Sequence, residues 1–289
     1  MAAAAAPQTH WPKGAKGCIS LTMDNMGEAA DLHRGIWPPS EPVGSHPSVT
    51  TALPQMLSIL STENVRATYF IEGWNSTVYP SAIESVVAAG HEVGFHAWQH
   101  EVWKGLDRET EVGNLDKSIS GVGELGVTYK GFRPPGGLVT EHTLGLMKER
   151  GMSYLSPAAR RCAVVDGVAM VPFQWRDIDA YSYLPSLAPI RKMLGDGEEC
   201  LSPTVLKERL VKRIDEVATQ GGYLALLFHP FLQTDEERMR VMREVVEYVK
   251  EKGDQVWVAP CGEVADWVLQ HKDEFGTDPG WDTAEWKKK

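Results

Sequence analysis

Short, almost wholly apolar runs alternate along this chain with longer stretches in which apolar residues recur every three or four positions. The first run, KGCISLTM at residues 16–23, predicts a buried strand that ends at Asp24. Leu53, Met56, Leu57 and Leu60 then share one face of a predicted helix over 49–61. VRATYFIE (65–72) predicts a strand, and 79–89 a helix opened by a Ser81 cap with Glu84 three positions on. A strand at 91–95, an amphipathic helix at 107–125, a strand at 129–132, a helix at 140–150 stopped by Gly151 and a strand at 152–155 follow. Residues 160–197 are less regular, with one strand at 168–172. The series closes with a helix at 203–219, the apolar strand GYLALLF at 222–228, a helix at 236–252, a strand at 255–259 and a helix at 261–270. Strands separated by helices predict a parallel sheet with helices outside. Seven or eight such units favour an α/β barrel of the TIM type, with irregularities, over an open sheet, and no linker divides it into more than a single domain. The expected boundaries are a flexible segment at 1–16, the barrel at 17–270, and a polar, aromatic tail at 271–289 that holds Trp281 and Trp286. The Pro-, Gly- and His-rich stretch 31–48, with Trp37, is long for a connection and reads as a functional loop or lid.

Composition narrows the partners. The 289 residues carry a net charge of −10, which disfavours nucleic acid and anionic membrane surfaces as partners. No apolar run approaches the ~20 residues of a membrane span. The start, MAAAAAPQTHWPKG, lacks a basic region followed by an apolar one, so no secretory signal is expected. Cys18, Cys162, Cys200 and Cys261 are widely spaced without a CxxC, which suits buried thiols in a reducing compartment. A cytoplasmic protein is the expectation.

Candidate chemistry collects at the predicted strand ends. GHEVGFHAWQH (90–100) carries His96 just past a strand and His100 four residues on. If that segment turns helically, both imidazoles point to one spot, a natural position for a divalent metal. Two ordinary core or surface histidines are the plainer alternative. Asp24 ends the first strand, where Asp24-Asn25 is equally a turn signal. Arg133 follows the strand at 129–132, Asp177 and Asp179 follow that at 168–172, and His229 follows the most apolar strand. In a parallel barrel all these ends face one rim. Trp37, Trp98, Trp103 and Trp175 are candidates for a stacking surface, though aromatics at such places are more often core.

At these residues the chain resembles the polysaccharide deacetylase family, the NodB-homology or carbohydrate esterase 4 enzymes. LTMDN (21–25) is similar to the family's first motif, HAWQH (96–100) to its H-x-x-x-H motif, RPPGG (133–137) to its R-x-P-x-G motif and LLFHP (226–230) to its late leucine–histidine motif. The segments HPFLQTDEERMRVM and VWVAPCGEVADWV look most like a cytosolic branch that includes the Helicobacter-type peptidoglycan deacetylase and the PuuE-type allantoinase. The resemblance implies a distorted barrel that hydrolyses an amide C–N bond. By position it implies Asp24 as general base, His96 and His100 as ligands of a divalent metal, most often zinc, and Arg133 as the residue that orients the base. Asp177 or Asp179 would tether Arg133, and His229 would protonate the leaving amine. Glu28, Trp98, Trp37 and Pro135 are then candidates for substrate contact, and a homo-oligomer is implied.

One feature departs from the family. Where the third, anionic metal ligand belongs, this chain has Asn25 or Met26, depending on the alignment. An amide oxygen is neutral and a thioether is a poor zinc ligand. Three arrangements are open: Asp24 binds the metal, with Glu28 as a candidate base; two histidines and water hold it weakly; or no metal is held and His96 and His100 act directly. The persistence of both imidazoles and Arg133 favours the first. The expected function is hydrolysis of a soluble N-acyl sugar or a small cyclic imide or ureide. A non-catalytic carbohydrate-binding protein and a metal-independent, allantoinase-like amidohydrolase are the alternatives.

Overall fold

β1 (Gly17–Asp24) is buried at all eight positions: strands pair along both of its edges, and both faces of the parallel sheet are covered there. This computed structural model describes residues 11–282. The other strands are β2 (Thr68–Ile71), β3 (Glu92–Phe95), β4 (Gly131–Phe132), β5 (Tyr154–Leu155), β6 (Ala163–Val165), β7 (Val168–Met170), β8 (Gly222–Phe228) and β9 (Val256–Val258). They form one sheet in the order β6-β7-β5-β4-β3-β2-β1-β8, with β9 paired to the amino-terminal half of β1. Only β6 runs antiparallel, against β7.

The helices are α1 (Ala29–Arg34), α2 (Leu53–Thr62), α3 (Asn75–Val78), α4 (Pro80–Ala88), α5 (Arg108–Gly123), α6 (Thr143–Glu149), α7 (Asp179–Tyr183), α8 (Ala188–Met193), α9 (Pro203–Gln220), α10 (Glu236–Glu251) and α11 (Cys261–Gln270). Their apolar stripes face the sheet; α10, for example, buries Met239, Met242, Val245, Val246 and Val249. Side-chain caps fix three starts: Asp107 accepts from Thr110 N at 2.8 Å, Ser202 from Val205 N at 3.3 Å and Asp235 from Arg238 N at 3.0 Å. The expected Ser81 cap is not made. Pro80 occupies the first helical turn instead, a position where its missing N–H is harmless.

The sheet curls into a half-barrel. After β7 the chain runs between the ends of β5 and β8, bridging Ala158 with Phe173 and Ile178 with Leu227. One apolar core runs from Trp11 to Phe275. The expected loose start therefore does not extend to Trp11, which is 3% exposed and packs on Phe275 and Trp257 at ring distances of 5.5 and 6.0 Å. Residues 1–10 and the tail's Trp286 lie outside the described residues. No helix among those described is long and apolar enough to cross a membrane.

Candidate active site

Register alone lines up the strand ends. Met23 pairs with Phe228, so the next residues, Asp24 and His229, are neighbours on β1 and β8. Phe95 pairs with Phe132, so His96 and Arg133 are neighbours beyond β3 and β4, and Phe132 pairs with Leu155, which brings Ser156 alongside. In a parallel sheet, paired residues point to the same face.

Asp24 and Arg133 form the most buried charged pair of the site, 5% and 0% exposed. Arg133 NH1 donates to Asp24 Oδ1 at 2.8 Å and to Thr22 Oγ1 at 2.9 Å, while Nε and NH2 donate to Ser156 Oγ at 3.1 and 3.0 Å. The guanidinium also lies over the Phe70 ring, 4.2 Å from its centre. These contacts hold one carboxylate oxygen and leave Asp24 Oδ2 facing His96 Nε2 at 4.0 Å. Asp177 and Asp179 do not tether Arg133. That work falls to Ser156 and Thr22, because the strand ends reach the guanidinium directly.

His96 and His100 come together, with ring centres 5.1 Å apart, but not through a helical turn. Residues 96–100 form a loop in which Ala97 and His100 both take left-handed backbone angles, φ 68° and 67°. Glu101 fastens it by accepting from Trp98 N and Gln99 N, each at 3.0 Å. His96 is buried, and its Nδ1 lies 2.6 Å from the carbonyl oxygen of Arg133. A carbonyl only accepts, so Nδ1 carries the hydrogen and Nε2 is bare. Burial pushes the His96 pKa down to about 4, keeping the ring neutral. Burial, followed by the neighbouring His96, also lowers that of His100. Arg34 from α1 donates to His100 Nδ1 at 3.0 Å, which places the hydrogen of a neutral His100 on Nε2.

These contacts test the implied metal. His96 Nε2 faces Asn25 Oδ1 at 3.0 Å as well as Asp24 Oδ2, three lone-pair atoms gathered together. Such a set fits a divalent cation, held by Asp24, His96 and the neutral Asn25 carbonyl. It is a weak set, since Arg133 already neutralises its one carboxylate. His100 joins only if Arg34 releases it. Among the described residues, no three His, Cys, Asp or Glu side chains come together closely enough to hold an ion. Met26 is not a donor: its side chain lies in the core, 1% exposed.

The opposite edge of the site is a second pair. His229 Nδ1 donates to Asp179 Oδ1 at 2.6 Å, and Asp179 Oδ2 accepts from His229 N at 2.8 Å and Gln233 Nε2 at 2.6 Å. Asp179 is thus the partner of His229, with its ring Nε2 left over. Asp177 points elsewhere, pairing with Arg213 Nε of α9 at 3.2 Å, and burial raises its pKa to about 6.

Asp24, His96, His100, His229 and Pro135 all line one cavity of about 830 Å³. Three candidates for substrate contact do not line it. Glu28 is wholly buried and accepts from Tyr79 Oη at 2.6 Å and Gly44 N at 2.5 Å, so it clasps the base of the loop after α1. Trp98 carries Lys117 over its ring at 4.5 Å, and Trp37 donates to Glu41 O at 3.2 Å. Trp103 is core, 0% exposed, while Trp175 does line the cavity. Three contributors were missed in the sequence: Arg34, Ser156 and Glu72. Glu72 accepts from Met26 N at 3.2 Å and Asn75 Nδ2 at 3.1 Å, bracing the turn after Asp24, and burial raises its pKa to about 8. Its place at the end of β2 was the available signal; Arg34 and Ser156 gave none.

Comparison with known proteins fits this arrangement. Residues 13–155 match the family model "Polysaccharide deacetylase", a stretch that holds Asp24, His96, His100 and Arg133. Chitin deacetylase 1 of Saccharomyces cerevisiae is 31% identical over 103 residues, 35% of this chain and 34% of that protein. The match thus spans about a third of that relative. A crystal structure described as a candidate polysaccharide deacetylase from Mycobacterium smegmatis superposes with a TM-score of 0.79 at 28% identity, covering 93% of this chain and 95% of that one. The PuuE allantoinase structure shares the fold, with a TM-score of 0.74 at 19% identity over 92% of this chain and 95% of that one. The early half is matched by sequence and the whole by shape, and the chain is similar to the polysaccharide deacetylases in both.

Proposed function

We propose that the protein hydrolyses a non-peptide carbon–nitrogen bond, removing an acyl group from a small N-acyl compound or opening a cyclic imide or ureide. The observation that carries this reading is the facing of Asp24, braced by Arg133, and His229, braced by Asp179, across one cavity. Amides resist water because the carbonyl is a poor electrophile and the amine a poor leaving group. Asp24 Oδ2 accepts a proton from the attacking water. His229 Nε2 delivers one to the departing nitrogen, and Asp179, which accepts the Nδ1 hydrogen, fixes the orientation of its ring. His96 and Asn25 position the water beside Asp24. A divalent ion held by Asp24, His96 and Asn25 would supply Lewis-acid polarisation of the carbonyl.

A second reading is favoured by one contact. The Arg34 guanidinium on His100 puts a fixed positive charge beside the same spot, so hydrolysis proceeds without a metal, through the side chains alone. Acetate or ammonia release, measured from a panel of acetamides, imides and ureides with and without a chelator, separates the two. Loss of activity on chelation and its return with zinc supports the first; full activity in chelator supports the second. Release that is equally fast from Asp24→Asn would end both.

A further inference from the structure

Apart from the reacting groups at the strand ends, the cavity is two-sided. Phe173, Ile178, Leu184, Leu187 and Phe231 give the cavity an apolar lining from the segment after β7 and from the turn after His229. Beyond the site already described, the polar side chains on its surface are His33, Arg34 and Ser186. A sugar ring presents hydroxyls all round and needs a polar partner for each. An apolar lining leaves those hydroxyls without partners, at a cost for every one buried. The lining instead suits an alkyl or aryl group.

Charge sharpens this. The lining holds one carboxylate, Asp24, and Arg133 neutralises it. It holds one guanidinium, Arg34, and no carboxylate lies within ion-pair distance of Arg34 among the described residues. In a chain of net charge −10, the reaction chamber carries an uncompensated positive charge. Arg34 spends one donor on His100, and its planar fork keeps others for a second acceptor.

We propose that the substrate is a small acylated amine, imide or ureide with an apolar body and an anionic group, a carboxylate or its like, which Arg34 binds. The body lies on the Phe173–Leu187 lining while the scissile carbonyl sits between Asp24 and His229. This deepens the hydrolase reading above and rests on it for the reaction, though not for the binding.

The test uses acetamides of one phenylalkyl body that ends in a carboxylate, a primary amide or an ammonium, with N-acetylglucosamine oligomers as the comparison. The wild type is expected to prefer the carboxylate over the amide about 10–100-fold in kcat/KM, the size of one charge-assisted contact. Arg34→Ala is expected to collapse that ratio towards one, and Arg34→Glu to reverse the order in favour of the ammonium. Equal use of carboxylate and amide, or faster use of the oligomers, overturns this inference and leaves the hydrolase reading intact. If no compound is cleaved, the hydrolase reading falls, and calorimetry with 3-phenylpropionate and its amide decides the rest. Tighter, Arg34-dependent binding of the acid upholds the inference; equal or absent binding overturns it.

Discussion

His96 and His100 stand four positions apart in one motif, yet the fold holds them in opposite ways. His96 is 2% exposed, with one ring nitrogen fixed on the Arg133 carbonyl and the other aimed at Asn25 and Asp24. His100 lies on a loop, and its ring contact is an exposed arginine from α1. One is set by strands already packed against each other; the other depends on two loops meeting. Spacing in a motif thus tells which residues are close, and the contacts behind each tell which can be relied on.

The comparison can be broken most forcefully at the group His96 faces. Asp24→Asn should lower kcat by about 10²–10⁴, the range of general acid–base contributions, in a protein that still folds as judged by circular dichroism. Next, His96→Gln should cost at least about 10-fold more in kcat/KM than His100→Gln, in line with the weight of a reacting group against a peripheral one. Equal losses would show that the two rings act as one unit. Removing Arg34 sharpens the contrast from the other side. Arg34→Ala frees His100 Nδ1, so zinc should bind roughly 10-fold more tightly by calorimetry, a typical effect of changing what a metal-ligating ring contacts. Unchanged affinity would mean that His100 is not being held back.

The smallest effect concerns a third histidine, His91, at the opposite end of β3. Its Nδ1 accepts from Ala67 N at 3.1 Å, and burial lowers its pKa to about 4. In the unfolded chain a histidine binds its proton below about 6.5, but the folded His91 does so only below about 4. Its contribution is therefore present above pH 6.5 and is lost as pH falls towards 4. Thermal melts of His91→Gln should show a flatter fall in stability over that window, by about 1–3 kcal/mol at its acid end. A parallel fall in both proteins would contradict the assignment.

Strand ends were legible in the sequence where the strands are long or buried on both sides. β8 and α11 match their expected spans, and β1 is displaced by a single residue, because apolar runs of that length permit little else. The pairing of β6 with β7, and α7 and α8 in the stretch 160–197, carried no period to read; their places come from packing against β5, β8 and α9. At the site, the sequence placed Asp24, His96, Arg133 and His229 at neighbouring strand ends. It could not say that Asp179 serves His229, fifty positions away, because that contact needs the curl of the sheet. Arg34 is still less visible, since a cation on a short exposed helix looks like any solvated charge.

Asn25 carries a last consequence. Its backbone sits at φ 60°, a left-handed conformation that asparagine and aspartate both adopt readily. Exchange of the amide for an acid at this residue would add a negative charge next to Asp24 without asking the main chain to move. The pocket is thus one isosteric step from a second carboxylate, and the ancestry or engineering of this chamber can cross between neutral and anionic floors while every strand stays where it is.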